Sequence, residues 1–291
     1  MASSPSHKFG QIIGDVLELA IEPTLRRFAK VKSLFLDKKG KRPARKGNKV
    51  SWTDLYGNTH DLDFVLERHG SPEKIGDPVA FIETAWRRYT KHSRNKAQEI
   101  QGAILPLHAA HKNLAPFIGV VLAGDFTEGA LNQLRSLGFN VLYFPYESVI
   151  QAFSVVGINA SFDEETPDAH FKKKVRSWYA LSALRRHSVG KKLLISKPQE
   201  VAAFVLALSN SVSRYITRVY VLPLHGRSSD MPTVAAAISF IERYVENDTH
   251  RQLIRYEVQI QYNNGDRIDG QFRDKQSTID FLKNYLKPSP A

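Results

Sequence analysis

The feature that most constrains the fold is a pair of apolar segments separated by an amphipathic one, between residues 116 and 149. We expect a strand in residues 116–124 and a helix in residues 125–138 that ends at Gly138. A second strand should begin at residue 139 and lead into another helix. Two strands joined through a helix are parallel, with a right-handed crossover. This order predicts an α/β fold.

The residues before this unit predict one helix followed by three strands. Apolar residues recur at helical spacing from Phe9 to Val31, which indicates a long amphipathic helix. Alternating and β-branched residues predict strands at Val50–Leu55 and Leu62–Glu67, joined by a turn. The apolar run Val79–Ala85 predicts a buried strand, and the helix after it should end before Pro106.

A polar, turn-rich stretch at residues 158–170 predicts a boundary between two parts of the chain. Residues 1–157 would form an α/β unit. Residues 171–291 would form an α+β region. Within that region, the alternation of apolar and polar residues over 256–262 predicts a strand of a hairpin.

Charge and composition narrow the classes of partner and compartment. Lysine and arginine number 41 against 29 acidic residues, which gives a formal net charge of +12 and favours a polyanionic partner such as nucleic acid. There are no cysteines, which excludes disulfides and thiolate chemistry and fits a reducing compartment. No apolar run has the length of a membrane span, and the N-terminus does not resemble a secretory signal. We therefore expect a cytoplasmic protein outside the membrane.

Several enzyme classes lack their sequence motifs in this chain. No phosphate-binding GxxxxGK[ST] loop and no GxGxxG dinucleotide motif occurs, which argues against ATP-driven and nicotinamide-dependent chemistry. No GxSxG motif supports acyl transfer either.

Two acidic residues lie in otherwise apolar strand segments. Asp63 belongs to DLDFVLERHG, and Glu83 belongs to PVAFIETAW. A charge inside a buried strand is costly unless it is paired or binds a metal. Carboxylates on adjacent strands can share a hard divalent cation, which activates water and polarises a phosphodiester. Asp61 is an alternative ligand on the same strand face, but Asp63 lies deeper in the apolar run.

The order of these segments resembles the PD-(D/E)XK nuclease superfamily, which has the restriction-endonuclease-like fold. The matching segments are GDVLELAIEPTLRRFAK, DLDFVLERHG, PVAFIETAW and the strand–helix–strand unit after them, about half of the chain. The resemblance implies a central mixed sheet flanked by helices and a Mg²⁺ ion bound by Asp63 and Glu83. It also implies that Glu18 is the helix carboxylate that completes the site. Residues 1–157 would then be the catalytic core, and residues 171–291 would supply DNA recognition or dimer contacts.

One position departs from the family pattern. The motif lysine normally stands two residues after the glutamate, and here that position is Ala85. The family sometimes supplies this lysine from the next helix. We expect Lys96 to replace it, with Lys91 as the second choice.

The resemblance and the charge together predict a type II restriction endonuclease that cleaves duplex DNA and acts as a homodimer, since a symmetric dimer suits a palindromic target. Two alternatives stay open: a DNA-binding protein that has lost cleavage, and an RNA-binding or RNA-processing protein. The expected DNA contacts are the basic residues of two segments: Lys38, Lys39, Lys41, Arg42, Arg45, Lys46, Arg87, Arg88, Lys91 and Arg94.

Overall fold

The computed structural model describes residues 4–112, 114–224, 226–248, 251–263 and 265–286. The chain divides into an N-terminal unit, Met1–Val212, and a C-terminal unit, Ser213–Ala291. The sequence placed the boundary at 158–170, but the first unit continues through three more helices. Those helices remain in the first unit because their apolar residues pack into its core.

The N-terminal unit begins with a long helix and a β-rich segment. In chain order the elements are α1 (Pro5–Val31), β1 (Phe35–Lys38), β2 (Val50–Thr53), β3 (Thr59–Leu62), β4 (Phe64–Arg68) and β5 (Asp77–Arg87). A short 3₁₀ turn at Thr90–His92 then precedes the remaining elements, α2 (Ser93–Ala110), β6 (Phe117–Gly124), α3 (Glu128–Ser136), β7 (Asn140–Pro145), α4 (Tyr146–Ser154), α5 (Asp168–Tyr179), α6 (Ala183–Ile195) and α7 (Pro198–Val212).

The central sheet of this unit is mixed, with strand order β1-β4-β5-β6-β7. Strands β1, β4 and β5 pair antiparallel, whereas β5, β6 and β7 pair parallel. The parallel pairs follow from the helical connections that the sequence predicted. The expected α/β class with a mixed sheet flanked by helices is therefore confirmed.

Alternate residues of each strand pack on opposite faces of the sheet. Phe64 and Ile82 belong to a core formed with α1 and α4–α7, whereas Val65, Phe81 and Ala85 belong to a second core formed with α2 and α3. This two-sided burial explains why the strands read as nearly continuous apolar runs. It also makes a charged residue in such a strand unusual.

The strands around Asp63 differ from the sequence prediction. Val50–Thr53 pairs with Thr59–Leu62 in a separate two-stranded ribbon, and the chain bends at Asp63 before Phe64–Arg68 joins the central sheet. The expected single strand from residue 62 to 67 is thus divided at Asp63. The residue leaves the regular strand alternation there, and its carboxylate accepts hydrogen bonds from Thr84 on the neighbouring strand.

The helix after β5 also differs from its predicted end. We expected it to stop before Pro106, but α2 runs to Ala110 with that proline inside it. A proline removes one helical hydrogen bond. The helix continues because Ile104 and Leu107, on either side of the proline, are both buried in the same core.

The C-terminal unit is an antiparallel sheet with two helices. Its elements are β8 (Ile216–Pro223), β9 (Ser229–Met231), α8 (Val234–Arg243), β10 (Asn247–Asp248), β11 (Arg251–Gln252), β12 (Tyr256–Tyr262), β13 (Arg267–Phe272) and α9 (Lys275–Lys283). The sheet order is β13-β12-β8-β9. The alternating residues of β12 are buried in a core of this unit's own, as their spacing predicts. No helix in the described residues is long and apolar enough to cross a bilayer.

Two arginines of the expected DNA-binding segment are structural instead. The Arg42 guanidinium lies 2.6 Å from a Glu67 oxygen and 2.8 Å from an Asp37 oxygen, and all three side chains are at most 3% exposed. Arg45 also pairs with Asp37, and it is only 7% exposed. Arg42 and Arg45 are therefore not free to bind DNA, because their donors neutralise buried carboxylates that join β1 to β4.

We expect Arg42→Ala to lower the free energy of unfolding by about 3–5 kcal/mol. The substitution removes the positive charge of the guanidinium from the buried carboxylates of Asp37 and Glu67. Urea denaturation at pH 7 measures this change. The matched control is Lys41→Ala, whose side chain is exposed next to it in the chain, and it should shift stability by no more than about 0.5 kcal/mol. Equal unfolding midpoints for the two variants would contradict the structural role of Arg42.

Candidate active site

The antiparallel register of β4 and β5 brings Asp63 next to Glu83. Phe64 of β4 pairs with Ile82 of β5. Because the strands are antiparallel, Asp63, just before Phe64, lies opposite Glu83, just after Ile82. The Asp63 carboxylate accepts a hydrogen bond from the backbone N–H of Thr84 and another from its hydroxyl, both at 2.7 Å. The bend before β4 and the two hydrogen bonds from Thr84 of β5 therefore hold Asp63 in a fixed position beside Glu83.

Glu83 combines a buried, unpartnered carboxyl oxygen with a raised pKa. Its Oε2 is buried and has no hydrogen-bond partner. Burial, followed by the charge of Asp63, raises the pKa of Glu83 to about 8, while the Lys96 charge and a hydrogen bond from the Asp63 backbone oppose the rise. An unpaired buried carboxyl oxygen is costly, and such atoms are rare in folded proteins.

Glu18 adds a third carboxyl from α1. Burial, followed by the charges of Asp63 and Asp15, raises its pKa to about 7, against the opposing charges of Lys39 and Lys38. Because Asp63 influences both glutamates, the long helix, the bend and β5 bring carboxyl groups to one region. The structure thus brings the three predicted acids into electrostatic range of one another.

Lys96 lies on α2 near this group of acids. Its charge lowers the pKa of Glu83, and its Nζ is 3.3 Å from a Glu99 oxygen. Only 19% of its side chain is exposed. The second choice, Lys91, lies in the 3₁₀ turn and its Nζ is 2.5 Å from Glu164. Geometry therefore favours Lys96 over Lys91 as the cation beside Glu83.

The metal-binding capacity of this region rests on few ligands. Within the described residues, no group of three or more His, Cys, Asp or Glu side chains has an arrangement that could hold a metal ion. Asp63 and Glu83 alone would leave most coordination positions to water and to a ligand oxygen. Mg²⁺ tolerates such a site, since it usually keeps several waters and binds through one or two carboxylates.

An open cavity of about 390 Å³ adjoins the end of β5 and the start of α2. Its lining comprises Trp86, Arg87, Arg88, His92, Asn95 and Glu99. Nothing in the sequence singles out Asn95, which is uncharged and belongs to no motif. Thr84, which anchors Asp63, was also missed, although a hydroxyl inside an apolar strand is a detectable signal.

The basic residues expected to contact DNA fall into two groups. Lys38 pairs with Glu22, and Arg88 stacks 4.0 Å over the Tyr146 ring while pairing with Asp125. Arg87 lies in the cavity, 3.6 Å from Glu99. Lys91 is exposed but pairs with Glu164. The expected contacts that are exposed and have no ion pair among the described residues, and so are open to a polyanion, are Lys39, Lys41, Lys46 and Arg94.

Comparisons with known proteins add little to this geometry. No protein-family profile matches the chain, and no curated protein matches it. A crystal structure of a protein of unknown function aligns with 61% of this chain and 97% of its own, at 12% sequence identity and a TM-score of 0.28. A likeness at that score supports no statement about function.

The raised pKa values predict a stability that falls as pH rises. A carboxyl whose folded-state pKa exceeds its unfolded value of 4.5 favours the folded state when protonated, and that contribution is lost as pH rises through about 7 for Glu18 and about 8 for Glu83. Glu83→Gln mimics the protonated form. We expect it to raise the free energy of unfolding at pH 9 by at least about 1 kcal/mol and to change little at pH 4.

Chemical denaturation of wild type and variant at the two pH values measures this effect in the absence of divalent cations. The control is Glu99→Gln, a neighbouring glutamate whose side chain is 59% exposed, which should stay within about 0.5 kcal/mol at both pH values. A Glu83→Gln protein that is less stable than wild type at pH 9 would show that Glu83 is not buried as an uncompensated charge.

Proposed function

We propose that this protein is a Mg²⁺-dependent endonuclease that hydrolyses phosphodiester bonds of duplex DNA, with Asp63 and Glu83 as the metal ligands. The observation that carries the proposal is the unpartnered, buried Oε2 of Glu83 beside the anchored carboxylate of Asp63. Two oxygen donors of this kind suit a hard divalent cation. Burial and the charge of Asp63 raise the pKa of Glu83. A cation bound between the two carboxylates would offset both effects.

The residues around the pair have distinct roles in this proposal. When bound, Mg²⁺ would polarise the phosphodiester and lower the pKa of an attacking water. Glu18, with a pKa of about 7, is suited to accept a proton from that water near neutral pH. Lys96 supplies positive charge beside Glu83, which would stabilise the charge that develops on the attacked phosphate. Lys96 would thereby replace the motif lysine absent at Ala85.

The substrate is proposed from the charge of the chain and the exposed cations near the site. The formal net charge of +12 favours a polyanion. Lys39 influences the carboxyl group of Glu18 and is itself exposed, so it is close enough to the acids to contact a bound phosphate backbone. The resemblance to type II restriction enzymes extends the proposal to a sequence-specific homodimer in the cytoplasm, in which each subunit would cut one strand.

A second candidate is a DNA-binding protein that does not cleave. Ala85 occupies the position of the motif lysine, and no set of three potential ligands forms a metal site among the described residues. Both features weaken a catalytic site without affecting a cationic surface. The two candidates differ only in cleavage, so an activity assay alongside a binding assay separates them.

Incubation with supercoiled plasmid and Mg²⁺ tests the proposal. We expect wild type to nick or linearise the plasmid, and a sequence-specific enzyme to give discrete fragments from long linear DNA. Asp63→Asn and Glu83→Gln should each lower the rate at least about a hundredfold, as should chelation of the metal. The control is Asp61→Asn, two residues away, whose exposed carboxylate pairs with Lys49; it should cleave as wild type does. Duplex binding without any cleavage would favour the second candidate.

Lys96 has a test of its own. We expect Lys96→Ala to reduce the cleavage rate about 10²–10³-fold at saturating DNA, since it removes a charge that acts on the transition state. Lys91→Ala is the matched control in the adjoining turn, because its charge is already paired with Glu164. If Lys91→Ala impaired cleavage and Lys96→Ala did not, the assignment of the two lysines would be reversed.

A further inference from the structure

The helices α5 and α6 carry an unusual excess of positive charge. Residues 168–199 contain nine lysines and arginines and one acidic residue, Asp168 at the start of α5. Their apolar positions are used in the core: Phe171 and Trp178 of α5 and Val189 and Leu193 of α6 are buried with α1 and α4. The cations therefore remain on the outer faces of the two helices.

Most of these cations have no acidic partner. Those exposed to solvent and without an ion pair in the described part of the chain are Lys172, Lys173, Arg176, Arg185, Lys191 and Lys192. Other exposed lysines of the same unit do have acidic partners, as Lys49 has in Asp61 and Lys91 in Glu164. An ordinary solvated helix face carries charges of both signs. A one-signed, unpaired surface is typical of a site for an external polyanion.

The two helices are held at fixed positions along α1. Phe171 of α5 packs on Phe9 with ring centroids 6.3 Å apart. On α6, a Cβ added at Gly190 would lie 3.0 Å from the Ala20 Cα, so this helix packs too closely on α1 to accommodate a side chain there easily. Because α1 is a single uninterrupted helix, it fixes the spacing between the cations of α5 and those of α6.

One part of this surface forms a concave site. Lys8 of α1 and Lys172 and Arg176 of α5 line an open cavity of about 460 Å³, together with Pro5 and Val175. Three cations around one depression suit a phosphate group. Next to α6, Tyr179 is 62% exposed and lies 5.8 Å below the Arg186 guanidinium, which adds an aromatic surface beside the charges.

We propose that α5, α6 and the first turns of α1 form a second surface for the phosphate backbone of nucleic acid, composed of residues distinct from those of the candidate active site. We name it the α5–α6 surface. The spread of positive charge over two helices, whose one acidic residue is Asp168 at the start of α5, fits a linear polyanion better than a compact anion. The proposal rests on the proposed function for the kind of partner, duplex DNA, but it requires no cleavage.

The test measures binding of a fluorescent 30-base-pair duplex to the full chain in EDTA, by anisotropy, over a series of KCl concentrations. The variant carries five substitutions on the α5–α6 surface: Lys172→Gln, Lys173→Gln, Arg176→Gln, Lys191→Gln and Lys192→Gln. We expect it to bind at least about tenfold more weakly at 100 mM KCl. Its log–log salt slope should be smaller by about 3–5, because each lost phosphate contact removes about 0.9 from the slope.

The control removes the same charge from exposed arginines and a lysine of the C-terminal unit: Arg227→Gln, Arg243→Gln, Arg267→Gln, Arg273→Gln and Lys283→Gln. It should bind within about threefold of wild type at the same salt concentration. Equal weakening of both variants would overturn the proposal, since net charge alone would then explain binding. Unchanged binding by the α5–α6 variant would overturn it as well.

Two further measurements complete the design. Circular dichroism and urea unfolding check that both variants fold. Vesicles containing phosphatidylserine replace the duplex in a parallel series, and a variant that loses vesicle binding while keeping DNA binding would overturn the proposal in favour of a lipid surface. Failure of cleavage in wild type, with normal duplex binding that depends on these five residues, would contradict the proposed function and support the α5–α6 surface.

Discussion

The pairing of β4 with β5 is the interaction on which the candidate site depends. Its register decides which residues of the two strands meet, and a shift of one residue would move every side chain of β4 to the opposite face of the sheet. The bend at Asp63 ends the β2–β3 ribbon and begins this pairing. Thr84 then fixes the aspartate through two hydrogen bonds, so one local arrangement sets both the sheet and its acidic centre.

The buried ion pairs of Arg42 support the same pairing from the other edge. Arg42 joins Asp37 of β1 to Glu67 of β4 and donates to the carbonyl of Lys74, in the segment that leads into β5. The basic loop that contains Arg42 is thereby attached to the sheet by buried ion pairs. Its remaining lysines stay exposed at its surface.

Much of the fold could be predicted because periodicity reports burial directly. The parallel unit from β6 to β7, the long helix α1 and the alternation of β12 all follow from apolar spacing. The predicted end of α2 was wrong because tertiary packing on both sides of Pro106 outweighs the local cost of a proline inside the helix. The boundary at 158–170 differs from the structure because a polar loop signals a change of element, whereas the core continues beyond it into α5–α7.

The acidic residues of the candidate site could be predicted from the sequence, but the residues that hold them in place could not. Glu83 stands out in the sequence because a charge interrupts an apolar run, and the structure leaves one of its oxygens without a partner. The roles of Arg42 and Thr84 depend on contacts between distant segments of the chain, which composition and residue spacing do not reveal. The same limit applies to the choice of Lys96 over Lys91, which the sequence ranks but which depends on how α2 is placed beside Glu83.

The proton held by Glu83 has a consequence for ligand binding. At neutral pH a carboxyl with a pKa of about 8 is mostly protonated, and a carboxylate must be deprotonated to coordinate a metal. Uptake of any divalent cation at this position would therefore expel a proton into solvent. In a weakly buffered sample that release would acidify the solution, and the apparent affinity for the cation would increase with alkalinity until Glu83 is fully ionised.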